Sequence, residues 1–387
     1  MGTMKNIVFV ADIFTPKDTR SSTQLLLTSF LDYLCKTDVN LFFIGIYDSF
    51  SNKDLIQGYL DNLGCRYYLF PSKIDLEKHG KYRNIQKLLS ETISPKTVFP
   101  KGLTLPFERV DKIIASIPSV EAGCIGKVLK RKYPTATYVT MWTDVLAFNL
   151  LDDPKRLPVK RLPLHFVEKK LLAASDLVFY LGRTQMEFQR SAFPRYAAKM
   201  HYYYPSYYPY CRSIVKTSNL MNVVYFGSFA RGIRSVETLC ATAAKLPDVR
   251  FQIIGRGDLE NIQSLQNLEV IIPEERIHDL ETVERIENSA DVSICYMNDR
   301  GFSLPGKFFY FTHLPKYILI IRNGKYRKAI EAELTPFQRY VFCDDEPESI
   351  AEALKRIGKD RTAGKVLNLD AFDPRSAFGP IINSEID

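Results

Sequence analysis

Two glycine turns, two cations and two carboxylates are the residues in this chain best placed to do chemistry. Gly227-Ser228-Phe229-Ala230-Arg231-Gly232 follows an apolar, β-favouring run at 223–226. Val236, Leu239, Cys240 and Ala243 then fall at i, i+3, i+4 and i+7, one face of a helix. Pro247 stops that helix, and a second apolar run at 249–254 ends on Gly255-Arg256-Gly257-Asp258. A strand, a helix and a strand in succession put both turns at the carboxyl edge of one parallel sheet, where open α/β sheets bind ligands. Backbone N–H groups at the helix start, the helix dipole and Arg231 all favour an anion there, phosphate above all. A glycine after a strand also serves as a plain tight turn. Neither the G-x-G-x-x-G fingerprint nor a P-loop occurs.

Lys307 opens a short helix after the polar loop at 297–305. Its ammonium is a mobile cation near a helix start, suited to a leaving diphosphate. Tyr310 lies one turn along, on the same face. In the first half of the chain, Asp144 closes the run at 136–142 and Glu121 follows the run at 112–117. Either carboxylate can orient or deprotonate an acceptor hydroxyl, as general-base work requires. Acids at such places also serve as helix caps or as polar loop residues. No Asp-x-Asp pair stands in a suitable loop, so charge on a leaving group would fall to Arg231, Lys307 and helix dipoles, without a metal.

Residues 220–325 resemble the C-terminal domain of GT-B glycosyltransferases, in particular the retaining enzymes of glycosyltransferase family 4. That family has a strand, Gly-Arg-Leu, a short gap, Lys-Gly, a helix, and a strand ending in Gly-x-Gly. Gly227, Arg231, Gly232, Gly255 and Gly257 follow the same layout, with Arg231 at the place of the family lysine. Leu304-Pro305-Gly306-Lys307-Phe308-Phe309-Tyr310-Phe311 is similar to the family's Pro-x-Lys-x-x-Glu-Tyr helix start. Two positions depart. Ser228 stands where many members have arginine. Tyr310 stands where a glutamate usually holds the ribose hydroxyls, and a tyrosine cannot accept from two hydroxyls as a carboxylate does.

The resemblance implies two Rossmann-like, doubly wound parallel-sheet α/β domains facing a cleft. It implies a donor site built from Gly227, Ser228, Arg231, Gly255, Arg256, Lys307 and Tyr310. The expected activity is transfer of a hexose from a nucleotide diphosphate sugar, a UDP-sugar favoured, to a glycan, lipid-linked or protein-linked acceptor of the polysaccharide or glycolipid biosynthetic type. Retention of configuration, no cofactor and no metal belong to the same expectation. Ser228 and Tyr310 motivate a second reading, a catalytically inert GT-B-like subunit that binds or stabilises an active partner.

The bulk numbers agree with two domains of ordinary size. The chain has 387 residues, 46% of them apolar, and a net charge of +8. A basic balance suits an acidic partner: a nucleotide, a nucleic acid or an anionic membrane surface. Charge and the tyrosines at 202–210 are the only support for nucleic acid, with no RNP-like motif beside them, and that partner is set aside. Seven dispersed cysteines form no C-x-x-C pair and no zinc spacing, which reads as reduced thiols of a cytoplasmic protein. No signal peptide and no membrane-spanning run is visible, and residues 1–3 resemble a cloning remnant.

The elements follow from periodicity. Strands are expected at 6–10, 41–46, 65–70, 112–117, 136–142 and 175–181, and helices at 53–64, 124–132, 164–174 and 184–193. Ser21 and Gln24 have capping-box spacing before a helix carrying Leu27, Phe30, Leu31 and Leu34. Arg20, in the loop before it, is a solvated arginine or a phosphate contact. The basic stretches at 71–106 and 152–170 read either as solvated loops or as peripheral contacts with an anionic membrane. Beyond 254, strands are expected at 268–272, 291–296 and, last, 317–321; the loop at 273–275 would meet the nucleotide base. A helix with Ile350, Leu354 and Ile357 is closed by Gly358. The expected domains are 4–205, the acceptor side, and 206–358, the donor side. A polar segment at 359–387 would return to the first domain, anchored by Phe372 and Phe378.

Overall fold

The computed structural model describes residues 4–13, 22–48, 51–72, 99–100, 102–147, 161–206, 220–227, 229, 236–255, 257, 265–272, 285–286, 288–297, 302, 304–310, 316–363, 367 and 369–385. The chain divides into two compact units. One comprises Met1–Pro209 with Pro374–Asp387, and the other comprises Tyr210–Asp373.

In the first unit, β1 (Lys5–Asp12), α1 (Ser22–Lys36), β2 (Val39–Tyr47), α2 (Lys53–Asn62) and β3 (Arg66–Pro71) alternate. They are followed by β4 (Lys112–Ile117), α3 (Val120–Lys132), β5 (Thr137–Trp142), α4 (Leu162–Ala174), β6 (Leu177–Leu181), α5 (Arg183–Ala192) and β7 (Met200–Tyr203). The strands form a parallel seven-stranded sheet in the order β3-β2-β1-β4-β5-β6-β7. Strands β4 and β6 are buried at every residue, because helices on both faces leave no side for water. β1 pairs with β2 from Lys5↔Val39 to Asp12↔Ile46, which sets Asp12 at the carboxyl edge.

In the second unit, β8 (Met221–Phe226), α6 (Glu237–Lys245), β9 (Val249–Ile254), β10 (Leu268–Ile271), β11 (Val292–Tyr296) and α7 (Lys307–Tyr310) come first. β12 (Tyr317–Ile321), α8 (Arg327–Leu334), β13 (Tyr340–Cys343) and α9 (Pro347–Thr362) complete it. Its six strands are parallel in the order β10-β9-β8-β11-β12-β13. Leu239, Ala243, Ile350, Leu354 and Ile357 close one face of that sheet in a single apolar cluster.

The structure corrects the sequence reading in five places. β7, which runs into the tyrosine-rich stretch at 202–210, is a strand that the sequence reading lacks; it is short and pairs with β6. β13 follows the strand expected to be last, and it too is a four-residue run, too short for periodicity to separate from a loop. α9 runs through Gly358 to Thr362, since a right-handed glycine inside a helix weakens it without ending it. Residues 374–383 form a further helix, α10, with Pro380 inside it. The returning segment therefore starts at Pro374, not at Lys359.

Phe372 stays with the second unit, its ring 4.8 Å from Phe337 and 6.4 Å from Tyr340. Phe378 anchors α10 in the first unit, 5.0 Å from the Phe30 ring and 5.6 Å from Tyr33. The clasp is completed by Lys112, 3% exposed at the amino end of β4. Its Nζ donates to Ile381 O (3.1 Å) and Ser384 O (2.6 Å), the orphan carbonyls at the end of α10. A cation there also opposes the negative end of the helix dipole. Among the described residues no helix is long and apolar enough to cross a membrane.

Candidate functional site

The carboxyl edge of the first sheet is lined by polar side chains from the ends of its first five strands. Asp12 ends β1, Asp48 follows β2, Ser72 follows β3, Ser119 follows β4, and Thr143 and Asp144 follow β5. Ser119 Oγ donates to Asp12 Oδ1 at 2.6 Å and accepts from the Ala122 amide at 3.1 Å, so one hydroxyl caps α3 and holds the β1 carboxyl. Burial raises the Asp12 carboxyl to about 7, the Ser119 hydrogen bond opposes this, and the charges of Glu121 and Asp48 add to it. Burial alone raises Asp144 to about 6. Two carboxyls at one edge that titrate close to neutrality are suited to exchange protons with a hydroxyl.

Glu121 is not in a loop. It lies in the first turn of α3, because Ser119 caps a helix that begins at Val120, four residues before the expected position at 124. It is 4% exposed and accepts a hydrogen bond from Ser72 Oγ. The structure thus gives this carboxylate a partner within the edge, tying β3 to α3. Asp12 and Ser119 have no role in the sequence reading. The signal for Asp12 is the one that marks Asp144: an acid closing an apolar run.

The second sheet presents backbone at the same edge. A Cβ added to Gly255 would lie 1.7 Å from Gly227 O, and one added to Gly257 would lie 2.1 Å from Phe229 O. The two glycine turns are therefore in direct backbone contact, an approach closed to any side chain. Their amides are not free for an anion: Gly227 N–H donates to Ile254 O (2.8 Å) and Gly255 N–H to Ile271 O (3.1 Å). The glycines build the edge, and donors to a phosphate would have to come from the residues beyond them. Ser228, Arg231 and Arg256 lie outside the described residues. So do Arg20, the loop at 273–275 and the basic stretches at 73–98 and 151–160.

Lys307 and Tyr310 open and close α7, and their side chains lie outside the described residues. The helix between them is fixed from below. Phe308 and Phe309 are fully buried, and Tyr340 Oη donates to Phe308 O at 2.9 Å. Among the described residues no cluster of His, Cys, Asp or Glu is arranged to hold a metal ion.

No family model and no curated protein sequence matches this chain. Solved structures do. The catalytic domain of Arabidopsis thaliana starch synthase IV, bound to ADP and acarbose, superposes with a TM-score of 0.57 at 9% identity, over 98% of this chain and 97% of that one. A lipopolysaccharide outer core galactosyltransferase gives 0.55 at 11% identity, over 98% of each chain. The fold is GT-B. The UDP-GlcNAc 2-epimerase of Neisseria meningitidis, bound to UDP-GlcNAc, shares it as well, with a TM-score of 0.50 at 12% identity over 97% of this chain and 98% of that one. A GT-B framework is thus used for more than one reaction, and the chemistry has to be argued from the residues.

Proposed function

We propose that this protein is a glycosyltransferase that moves a hexose from a nucleotide diphosphate sugar, a UDP-sugar favoured, to a hydroxyl of a glycan, lipid-linked or protein-linked acceptor. The observation that carries the reading is the backbone contact of Gly227 with Gly255 at the carboxyl edge of the second GT-B sheet. Two glycine turns locked together in this way keep side chains off the edge and leave it open to a diphosphate, whose donors come from the residues beyond the glycines. In this reading Arg231, Arg256 and Lys307 neutralise the leaving diphosphate in place of a metal, with Ser228 and Tyr310 on the nucleotide. Asp144, Asp12 and Glu121 serve the acceptor hydroxyl, and the sugar keeps its configuration, as in glycosyltransferase family 4. Peripheral contact with an anionic membrane through the basic first half belongs to the same proposal, and so does a cytoplasmic location.

The test is a thermal-shift series with UDP, GDP, ADP and CMP, repeated on Arg231→Ala and Lys307→Ala. A ligand that binds only the folded state raises the melting temperature. The expected result is a rise with one diphosphate, UDP first, that both substitutions abolish and that chelation of divalent metals leaves intact. A rise unaffected by both substitutions would move the donor elsewhere. Tyr310, at the place of the family glutamate, supports the second reading, an inert GT-B-like subunit. That reading predicts no shift with any nucleotide, and a gain of UDP binding in Tyr310→Glu.

A further inference from the structure

The segment that carries Asp144 is held by a carboxyl group with no cation to pair with among the described residues. Glu168, on α4, is 0% exposed. Its Oε2 accepts from the Ala147 amide at 3.1 Å. The segment 143–147, which carries Asp144, is tied down at its other end by Thr143, whose amide and Oγ1 both donate to Ile117 O (3.0 and 3.1 Å). Asp144 thus sits on a five-residue bridge with one post at β4 and the other at Glu168.

The surroundings of Glu168 are costly for a core. Trp142 and Tyr180 face each other across β5 and β6, with ring centroids 5.7 Å apart. Gln185 and Gln189 lie one turn apart on α5, both fully buried. Trp142 Nε1, Glu168 Oε1, Tyr180 Oη and the Gln185 amide group have no hydrogen-bond partner among the described residues. A leucine at 168 would remove one of those burdens, since a buried polar atom without a partner costs stability. Burial pushes the Glu168 carboxyl up to about 8, the Ala147 and Leu146 amides and the Gln189 side chain opposing it, so at neutral pH it is mainly the neutral acid. What Glu168 provides in return is the acceptor for Ala147.

We infer that Glu168 is a positioning residue, which clamps the 143–147 bridge through the Ala147 amide and so fixes where the Asp144 carboxyl stands and how dry it is. The inference rests on the reading of Asp144 as a carboxylate that works on the acceptor hydroxyl. Glu168→Gln keeps an acceptor oxygen of the same reach and imitates the neutral acid. Glu168→Leu removes it. Ala147→Pro removes the donor instead, and replaces Glu168→Leu should that variant not fold.

Two readouts separate the clamp from the transferase reading. The first is amide hydrogen exchange of 144–147 in the whole protein, which needs no substrate. Loss of the clamp should speed it about 100-fold in Glu168→Leu, with Glu168→Gln close to wild type. The second is the pH profile of UDP-glucose hydrolysis. The wild-type acidic limb, near pH 6 for Asp144, should fall toward pH 4 in Glu168→Leu as water reaches the carboxyl, with kcat lowered and KM unchanged, and Glu168→Gln should restore both. Unchanged exchange in Glu168→Leu and Ala147→Pro overturns the clamp. Faster exchange with an unmoved limb overturns its role in placing Asp144. If the wild type turns over no UDP-glucose, the donor reading is at fault, and exchange alone decides the clamp.

Discussion

The two carboxyl edges of this protein are built from different materials. In the first sheet the edge is made of side chains: Asp12, Ser119, Glu121, Ser72 and Asp144, several bonded to one another. In the second it is made of main chain, with Gly227 and Gly255 in contact and their amides spent on the sheet ladder. Both edges have the same topology, a parallel sheet with strand ends at one side, so the fold does not decide which material is used. A side-chain edge can titrate and can be retuned one residue at a time. A main-chain edge has fixed charge and shape, and fails as a whole when a methyl group enters it.

The sharpest way to break this contrast is Gly255→Ala. The new Cβ would overlap Gly227 O, and backbone on both sides cannot move aside cheaply. A loss of about 4 kcal/mol is expected, as for the worst overpacked sites. A melting-temperature drop of roughly 10 °C would follow, alike at all pH values, and nucleotide binding should vanish with it. A fall of only a degree or two would show that the two turns can separate.

An effect of middle size is expected at the opposite edge of the first sheet. Lys112→Met leaves Ile381 O and Ser384 O without their donor, at a cost of about 1–3 kcal/mol. Exchange of amides in 374–385 should quicken, while the two carboxyl edges keep their protection. Loosening of residues 143–147 in this variant would mean that the first unit does not insulate its two edges.

A third test concerns titration. The folded-state pKa of Asp12 is raised from 3.8 to about 7, so the folded state binds the proton more tightly than the unfolded chain. Stability contributed by this group is complete below pH 4 and is lost as pH rises through 7. Asp12→Asn should therefore flatten the curve of melting temperature against pH between about 4 and 7. Asp144→Asn should do so between about 4 and 6. A curve of unchanged shape would mean that Asp12 is hydrated in solution and the edge is ordinary.

Legibility from the sequence followed the same division. The buried strands of both sheets announce themselves as apolar runs, and 112–117 matched to the residue. β7 and β13 did not, because four residues carry no period. Asp144 was visible because an acid closed a long run. Asp12 closed one as well, yet its partner Ser119 is distant in the chain and only the sheet brings them together. The contact of Gly255 with Gly227 was likewise out of reach: a glycine in a sequence does not tell whether its missing side chain is empty space or another backbone. Glu168 stands in a helix with ordinary polar spacing, and nothing local marks it as fully buried.

The helix that Lys112 and Phe378 hold has a consequence for how the protein is made. The first unit contains β1 to β7 and also residues 374–385, and the whole second unit is synthesised between them. While a ribosome is still adding that intervening stretch, the surface formed by Phe30, Tyr33 and Lys112 has no cover. The unit begun first is thus completed last, and during that interval its exposed apolar seat is a place for a chaperone to hold, or for two nascent chains to meet.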